Sequence, residues 1–130
     1  MKRCLLDSSF VIDLLNEMSD DLMGPARTWA IQNPSTDLWI SPVTYAEVME
    51  GASDDEALVA EILASFRWQT IGHQHARRVA LLQRRSARRL GDNDAWQVAL
   101  AEAMDATLVG HDPKAFARPG IRYEDHRAAL

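Results

Sequence analysis

The sequence predicts an α/β domain of three layers, with a short, mostly parallel sheet of four to five strands between two layers of helices. Three observations carry that prediction. Candidate strands and helices alternate along the whole chain. The strand candidates are short, apolar and non-alternating, as strands buried on both faces must be. No repeat, linker or low-complexity tract interrupts them, so residues 1–130 read as one domain.

The elements follow in order. RCLLD (3–7) is a short buried strand, and Ser8 or Ser9 caps a helix running to Asn16. Gly24-Pro25 breaks the chain, PARTWAIQ (25–32) forms a helix with proline in its first turn, and Asn33-Pro34 ends it. DLWIS (37–41) is the second strand. Ser41 and Pro42 then supply the N-cap and first residue of a helix to Gly51. An acid-fronted amphipathic helix spans 54–66, WQTI (68–71) is the third strand, and an arginine-rich helix covers 73–90. A helix over 93–105, the strand TLVG (107–110) and a short fifth strand IRYE (121–124) complete the pattern. The charged tail RYEDHRAAL is expected to be mobile.

Bulk properties exclude several classes. A net charge of −5 argues against general affinity for nucleic acid, although six of the fourteen basic residues fall within 77–89. The single cysteine, Cys4, rules out an internal disulfide framework and a cysteine zinc cluster, and its apolar surroundings make it buried and inert. No apolar run approaches the ~20 residues of a membrane span. Asp7 and Asp13 break the apolar core that a signal peptide needs, so a soluble, cytoplasmic protein is expected.

Acids recur where strands end and helices begin. Asp7 ends the first strand, Asp112 lies two residues beyond the fourth, and Asp94 fronts the helix leading into that fourth strand. Glu47 sits on the helix after the second strand. Ligands of open parallel sheets bind beyond the carboxyl ends of the strands. If strands one and four are neighbours, as right-handed crossovers permit, all four acids face one crevice.

Two carboxylates about 4 Å apart repel by roughly 4 kcal/mol at an effective dielectric near 20. A set of four therefore needs a counter-ion or protonated members. With oxygen donors throughout, the natural counter-ion is Mg²⁺ or Mn²⁺, suited to polarising a phosphoryl oxygen and activating a water. Each acid also has a purely structural reading: Asp7 and Asp112 as turn or cap residues, Asp94 as a favourable charge at a helix start, Glu47 as a solvated helix residue. Spacing alone leaves both readings open.

Four segments together resemble the PIN domain, in particular the small stand-alone ribonucleases that act as VapC-type toxins. CLLDSSFVIDLL resembles the family's opening strand, aspartate, hydroxyl residue and helix. SPVTYAEVMEG matches its second block, with Thr44, Glu47 and Gly51 in place, and DAWQVALAEAMDATLVGHDPKAF matches the third and fourth. Carried over, the family's metal site falls on Asp7, Glu47, Asp94 and Asp112, with Ser8 beside it orienting a ligand or water. The resemblance implies Mg²⁺- or Mn²⁺-dependent endonucleolytic cleavage of RNA, a homodimer, and a cognate antitoxin as partner. Gly110 departs from the pattern, which often has a threonine or serine there. Asp92 is an extra acid beside Asp94, read as an outer ligand, a second-metal ligand or an exposed loop acid.

In HARRVALLQRRSARRL, a helix at 100° per residue would bring Arg77, Arg84 and Arg88 within about 40° of one another, with Arg78, Arg85 and Arg89 in an adjoining row. Arg84, Arg85, Arg88 and Arg89 are therefore candidates for RNA phosphate contact, or else a solvated face pairing with acids. His73, His75, His111 and His126 share no ligand spacing, and His111 reads as a turn or surface histidine. Trp68 and Trp96 are expected in the core. Trp29 and Trp39 are divided between core, dimer contact and antitoxin groove.

The competing readings are a housekeeping RNA-processing PIN nuclease and a non-catalytic PIN-like scaffold. A haloacid-dehalogenase-type phosphatase needs a second aspartate two residues after the first, where this chain has Ser9.

Overall fold

The structure, a computed structural model, describes residues 1–128. Five strands, β1 (Lys2–Leu6), β2 (Thr36–Ile40), β3 (Arg67–Trp68), β4 (Thr107–Gly110) and β5 (Tyr123–Asp125), form one sheet in the order β3-β2-β1-β4-β5. All four pairings are parallel, and β1 lies between β2 and β4 as the crossover argument requires. Seven helices among the described residues connect them: α1 (Ser8–Ser19), α2 (Pro25–Gln32), α3 (Pro42–Glu50), α4 (Glu56–Leu63), α5 (His73–Arg85), α6 (Asp92–Ala103) and the short α7 (Pro113–Phe116).

Alternation along the central strands divides the core in two. Leu5 and Leu108 point to one side, where Leu82, Leu90, Val98, Leu100 and Phe116 pack on them. Cys4, Leu6 and Val109 point to the other, against Phe10, Val11, Trp29, Ile40 and Leu63. With both faces covered, the central stretches Cys4–Leu6 and Leu108–Val109 are apolar and buried, whereas the edge strands β3 (RW) and β5 (YED) carry charge; each fully buried leucine contributes about 1.5–3 kcal/mol. Cys4 is buried, and burial pushes its thiol up to about 11, so it stays protonated and inert.

Several expectations need correction. The third strand is two residues long, because only Trp39–Arg67 and Ile40–Trp68 register at that edge. Trp68 is consequently 40% exposed rather than core, resting on Tyr45 with ring centroids 5.0 Å apart. Trp96 is only partly buried. Trp29 resolves to the core, edge-on to Phe10, with its Nε1 donating to Glu124 at 2.8 Å. α1 continues to Ser19, past the expected end at Asn16. The extension brings Glu17 to accept hydrogen bonds from the backbone N–H groups of Gly24, Ala26 and Arg27, capping α2, whose own N-cap glycine has no side chain to do so.

α5 stops at Arg85 instead of Leu90. The side-chain amide of Gln83 bonds both the N–H and the C=O of Leu90 at 2.9 Å, folding 86–90 back so that Leu90 stays buried without helix.

The tail, expected to be mobile, is clasped as far as it is described; residues 129–130 lie outside the described residues. His126 is fully buried, its Nε2 lies 2.7 Å from Asp13 on α1, and Arg127 holds the same carboxylate through Nε and Nη2 at 2.9 and 3.0 Å. Burial lifts the Asp13 pKa, but the bonds from Arg127 and His126 outweigh it and the net shift is downward. A carboxyl lowered on folding adds stability above its unfolded pKa and loses it as pH falls through the folded one. Asp13→Ala is therefore expected to lower stability by about 2–3 kcal/mol near neutral pH. In denaturant titrations the difference from wild type should shrink on acidification.

Candidate active site

Each sequence-nominated acid stands at the carboxyl edge of the sheet. Asp7 follows β1 directly, and its N–H donates to the Val109 carbonyl at 2.8 Å, carrying the β1–β4 ladder one residue further. Its carboxylate caps α1: Oδ2 accepts from the Ser9 N–H at 3.4 Å and from the Ser9 hydroxyl at 2.8 Å. The same hydroxyl accepts from the His111 N–H at 2.8 Å. One serine thus ties the end of β1 to the end of β4. The capping residue is Asp7 itself, and Ser9 is a positioning residue that sequence reading considered only as a cap.

Asp112 caps α7, accepting from the Ala115 N–H at 3.3 Å, while its own N–H donates to the Tyr123 hydroxyl at 3.1 Å. His111 is half-exposed, with Nδ1 3.0 Å from both oxygens of Asp125 on β5.

Glu47 and Asp94 are set by a buried polar chain below them. The Ser41 hydroxyl, which also caps α3, donates to Gln97 Oε1 at 2.7 Å. Gln97 Nε2 donates to the Thr44 hydroxyl at 2.8 Å, and that hydroxyl donates to the Leu6 carbonyl at 2.8 Å. Glu47 is three residues after Thr44, and Asp94 three before Gln97, so each acid stands one helical turn from this chain on its own helix. Leu6 immediately precedes Asp7. The network joins the three elements that carry Asp7, Glu47 and Asp94. Gln97→Leu leaves two buried hydroxyls short of a partner, and a loss of about 2 kcal/mol is expected in thermal or denaturant unfolding.

Two of the four acids, Glu47 and Asp94, are shifted by burial and by the charges of the others. Burial raises the pKa of Glu47, and the charges of Asp7 and then Asp94 add to it, while the polar groups of Ser8 and Asn93 oppose. Burial likewise raises Asp94, reinforced by Asp112 and Asp7 and opposed by Arg118. Ser8 therefore faces Glu47. Asp92 turns away from this group: it is 77% exposed on its side chain and bound to Arg89 at 2.8 Å.

Among the described residues, no three His, Cys, Asp or Glu side chains are already drawn together as a metal shell. The acids lie near enough for the charges of Asp7 and Asp94 to act on Glu47, and those of Asp112 and Asp7 on Asp94. One oxygen each of Asp7 and Asp112 is fixed by a backbone N–H, and among the described residues the other accepts no hydrogen bond. An all-carboxylate donor set of this kind fits a hard divalent cation.

The arginine rows do not form as drawn. Arg84 and Arg85 end α5, whereas Arg88 and Arg89 lie in the loop after it.

The chain has counterparts among known proteins. The family model for the PIN domain matches residues 4–121. No curated protein sequence matches the chain. Among solved structures, a toxin–antitoxin complex from Klebsiella pneumoniae is 25% identical with a TM-score of 0.79, over 95% of this chain and 97% of that one. DNA-bound VapBC from Salmonella typhimurium is 22% identical with a TM-score of 0.76, over 97% and 99%. VapBC-5 from Mycobacterium tuberculosis is 22% identical with a TM-score of 0.62, over 96% and 98%. The latter two show the fold alone. With the family model spanning nearly the whole sheet and all four acids at its carboxyl edge, the chain belongs to the PIN domain family.

Proposed function

We propose that this PIN domain is a Mg²⁺- or Mn²⁺-dependent endoribonuclease, the toxin of a toxin–antitoxin pair. The observation that carries the reading is the placement of Asp7, Glu47, Asp94 and Asp112 beyond the carboxyl ends of β1, β2 and β4, with the elements of the first three tied together by the Ser41–Gln97–Thr44–Leu6 chain. Asp7, Glu47, Asp94 and Asp112 would hold the metal. When bound, it supplies an activated water and charge neutralisation for phosphodiester hydrolysis. Asp7 is tied through Ser9 to the end of β4, and this bond fixes its place in the site.

The toxin reading rests on the structural neighbours, which are toxin–antitoxin complexes. A groove of about 530 Å³ between α1, α3 and α4 supports it, lined by Ile12, Met18, Val48, Leu58 and Ile62 and bordered by Glu47. Ile12, Met18 and Leu58 stand exposed there, which suits the apolar side of an antitoxin segment ending beside the acids. A homodimer in the cytoplasm completes the proposal. Among the described residues no helix is long and apolar enough to cross a membrane.

Incubating labelled RNA with the purified protein in Mn²⁺, and again in excess chelator, tests the chemistry. Internal cuts that disappear on chelation are expected. Equal cutting in both would sink the metal mechanism, and no cutting of any RNA would sink the nuclease.

A further inference from the structure

Beside the acidic crevice lies a cavity of about 640 Å³ whose charge is opposite. Arg85, Arg88 and Arg118 line it together with Leu82, Ile121 and a single acid, Glu102, 4.0 Å from Arg85. Arg85 comes from the last turn of α5, Arg88 from the loop that runs into Asp92 and α6, and Arg118 from the loop after α7, which Asp112 opens. The two loops are sewn to each other. Arg118 Nη1 donates to the Arg88 carbonyl at 2.7 Å, and Arg88 Nη2 donates to the Lys114 carbonyl at 3.4 Å.

Three guanidinium groups against one carboxylate repel as the acids do, and Arg88 and Arg118 are held by backbone carbonyls rather than by anions. Arg118 Nε is shielded from solvent and has no acceptor among the described residues. Arg89, which the helical projection placed in the same stripe, is already spent on Asp92. We infer that this cavity is a phosphate subsite, in which Arg85, Arg88 and Arg118 hold a backbone phosphate of a single-stranded RNA whose neighbouring linkage lies among Asp7, Asp94 and Asp112.

The position of Arg118 favours a polyanion that continues into the acidic site over an acidic protein segment. Arg118 follows Asp112 by six residues and bonds the loop that leads into the helix of Asp94, so one strand can follow the protein from the basic cavity to the acidic site. Forked, planar donors also suit phosphate oxygens. The inference rests on the nuclease reading in taking the polyanion to be RNA.

The test is fluorescence anisotropy of a labelled single-stranded RNA in chelator, where no cutting runs, against rising salt. Each phosphate contact on a single strand contributes about 0.7 to the log–log salt slope. For the double variant Arg88→Gln with Arg118→Gln, weaker binding is expected. Its loss of affinity between about 50 and 200 mM salt should be smaller than that of wild type by roughly sevenfold. Arg85→Gln, which loses only a distant partner, should move the same way by about half as much on the logarithmic scale, and serves if the double variant fails to fold. Arg77→Gln, on the earlier part of α5, changes charge equally outside the cavity.

Unchanged affinity and slope in the cavity variants overturn the inference. So does an equal effect from Arg77→Gln, or a wild-type chain that binds polyglutamate in preference to RNA. Cutting by wild type in Mn²⁺ is read separately. RNA bound through these arginines but never cut removes the nuclease and keeps the subsite, whereas RNA cut with indifferent arginine variants removes the subsite alone.

Discussion

Asp94→Asn and Asp7→Asn are each expected to reduce RNA cleavage by on the order of 10³-fold or more, Asp94→Asn with a melting temperature equal to or above that of wild type and Asp7→Asn with the fold retained. For Asp94 the two readouts move apart because the acid is placed against its own electrostatic preference. Asp94 is raised by burial, then by Asp112 and Asp7. A carboxyl whose pKa is raised on folding favours the fold only while protonated, so its contribution is lost as pH rises through the folded value. At neutral pH the charge therefore opposes the metal-free fold, and an amide of the same shape removes the opposition. The asparagine oxygen at position 7 can still accept from the Ser9 N–H and hydroxyl, so the cap survives.

Activity has no such compensation. Stabilisation of transition-state charge by a metal held on carboxylates is a several-kcal/mol effect, and about 4 kcal/mol corresponds to three orders of magnitude in rate. The melting difference between Asp94→Asn and wild type should narrow as pH is lowered through the carboxylate range, since wild type then becomes neutral there as well. Manganese calorimetry gives the third measure: wild type takes up the ion and the variants bind it weakly. Full cutting by either variant, or a fold that collapses with it, would refute this account of the four acids.

What was legible in the sequence is the part governed by local rules. Strand ends marked by Asp7, Ser41-Pro42 and Asp112-Pro113, and the apolar runs of the central strands β1 and β4, are enough to set the sheet and line the acids along one edge. What was hidden depends on pairings across the chain. Nothing in QRRSARRL marks a helix end, because neither glycine nor proline occurs there, and the stop comes from Gln83 reaching Leu90. The basic cavity needs Arg118, thirty residues from Arg88, so no helical projection contains it. The clasp of His126 and Arg127 on Asp13 was invisible for the same reason: a charged tail looks solvated until its acceptor on α1 is known. Ser9 was hidden differently, since the residue beside Asp7 that the family pattern singles out is Ser8, whereas the hydroxyl reaching both Asp7 and His111 is the next one.

Gly110, where the family pattern often carries a hydroxyl, turns that last point into a prediction. A Cβ at this position would stand 2.6 Å from Asp7 Cβ, 2.9 Å from Ser9 Oγ and 3.1 Å from Asp7 Oδ2. The backbone is not the constraint, because the only glycine with a positive φ is Gly120. Space is the constraint, and Ser9 already fills it. Gly110→Ser should therefore fail to restore a missing group. It should push the β1–α1 junction away from β4, with about 1–3 kcal/mol lost to overpacking. Displacing Asp7 by on the order of 1 Å should lower cleavage about 10²-fold. Adding Ser9→Gly relieves the contact with Oγ but leaves the closer one with Asp7 Cβ, so the double variant should not recover. Thermal melts and single-turnover cleavage of the three proteins decide it: Gly110→Ser with wild-type values in both would mean that the end of β4 yields freely, and that Asp7 is not the fixed point of the site.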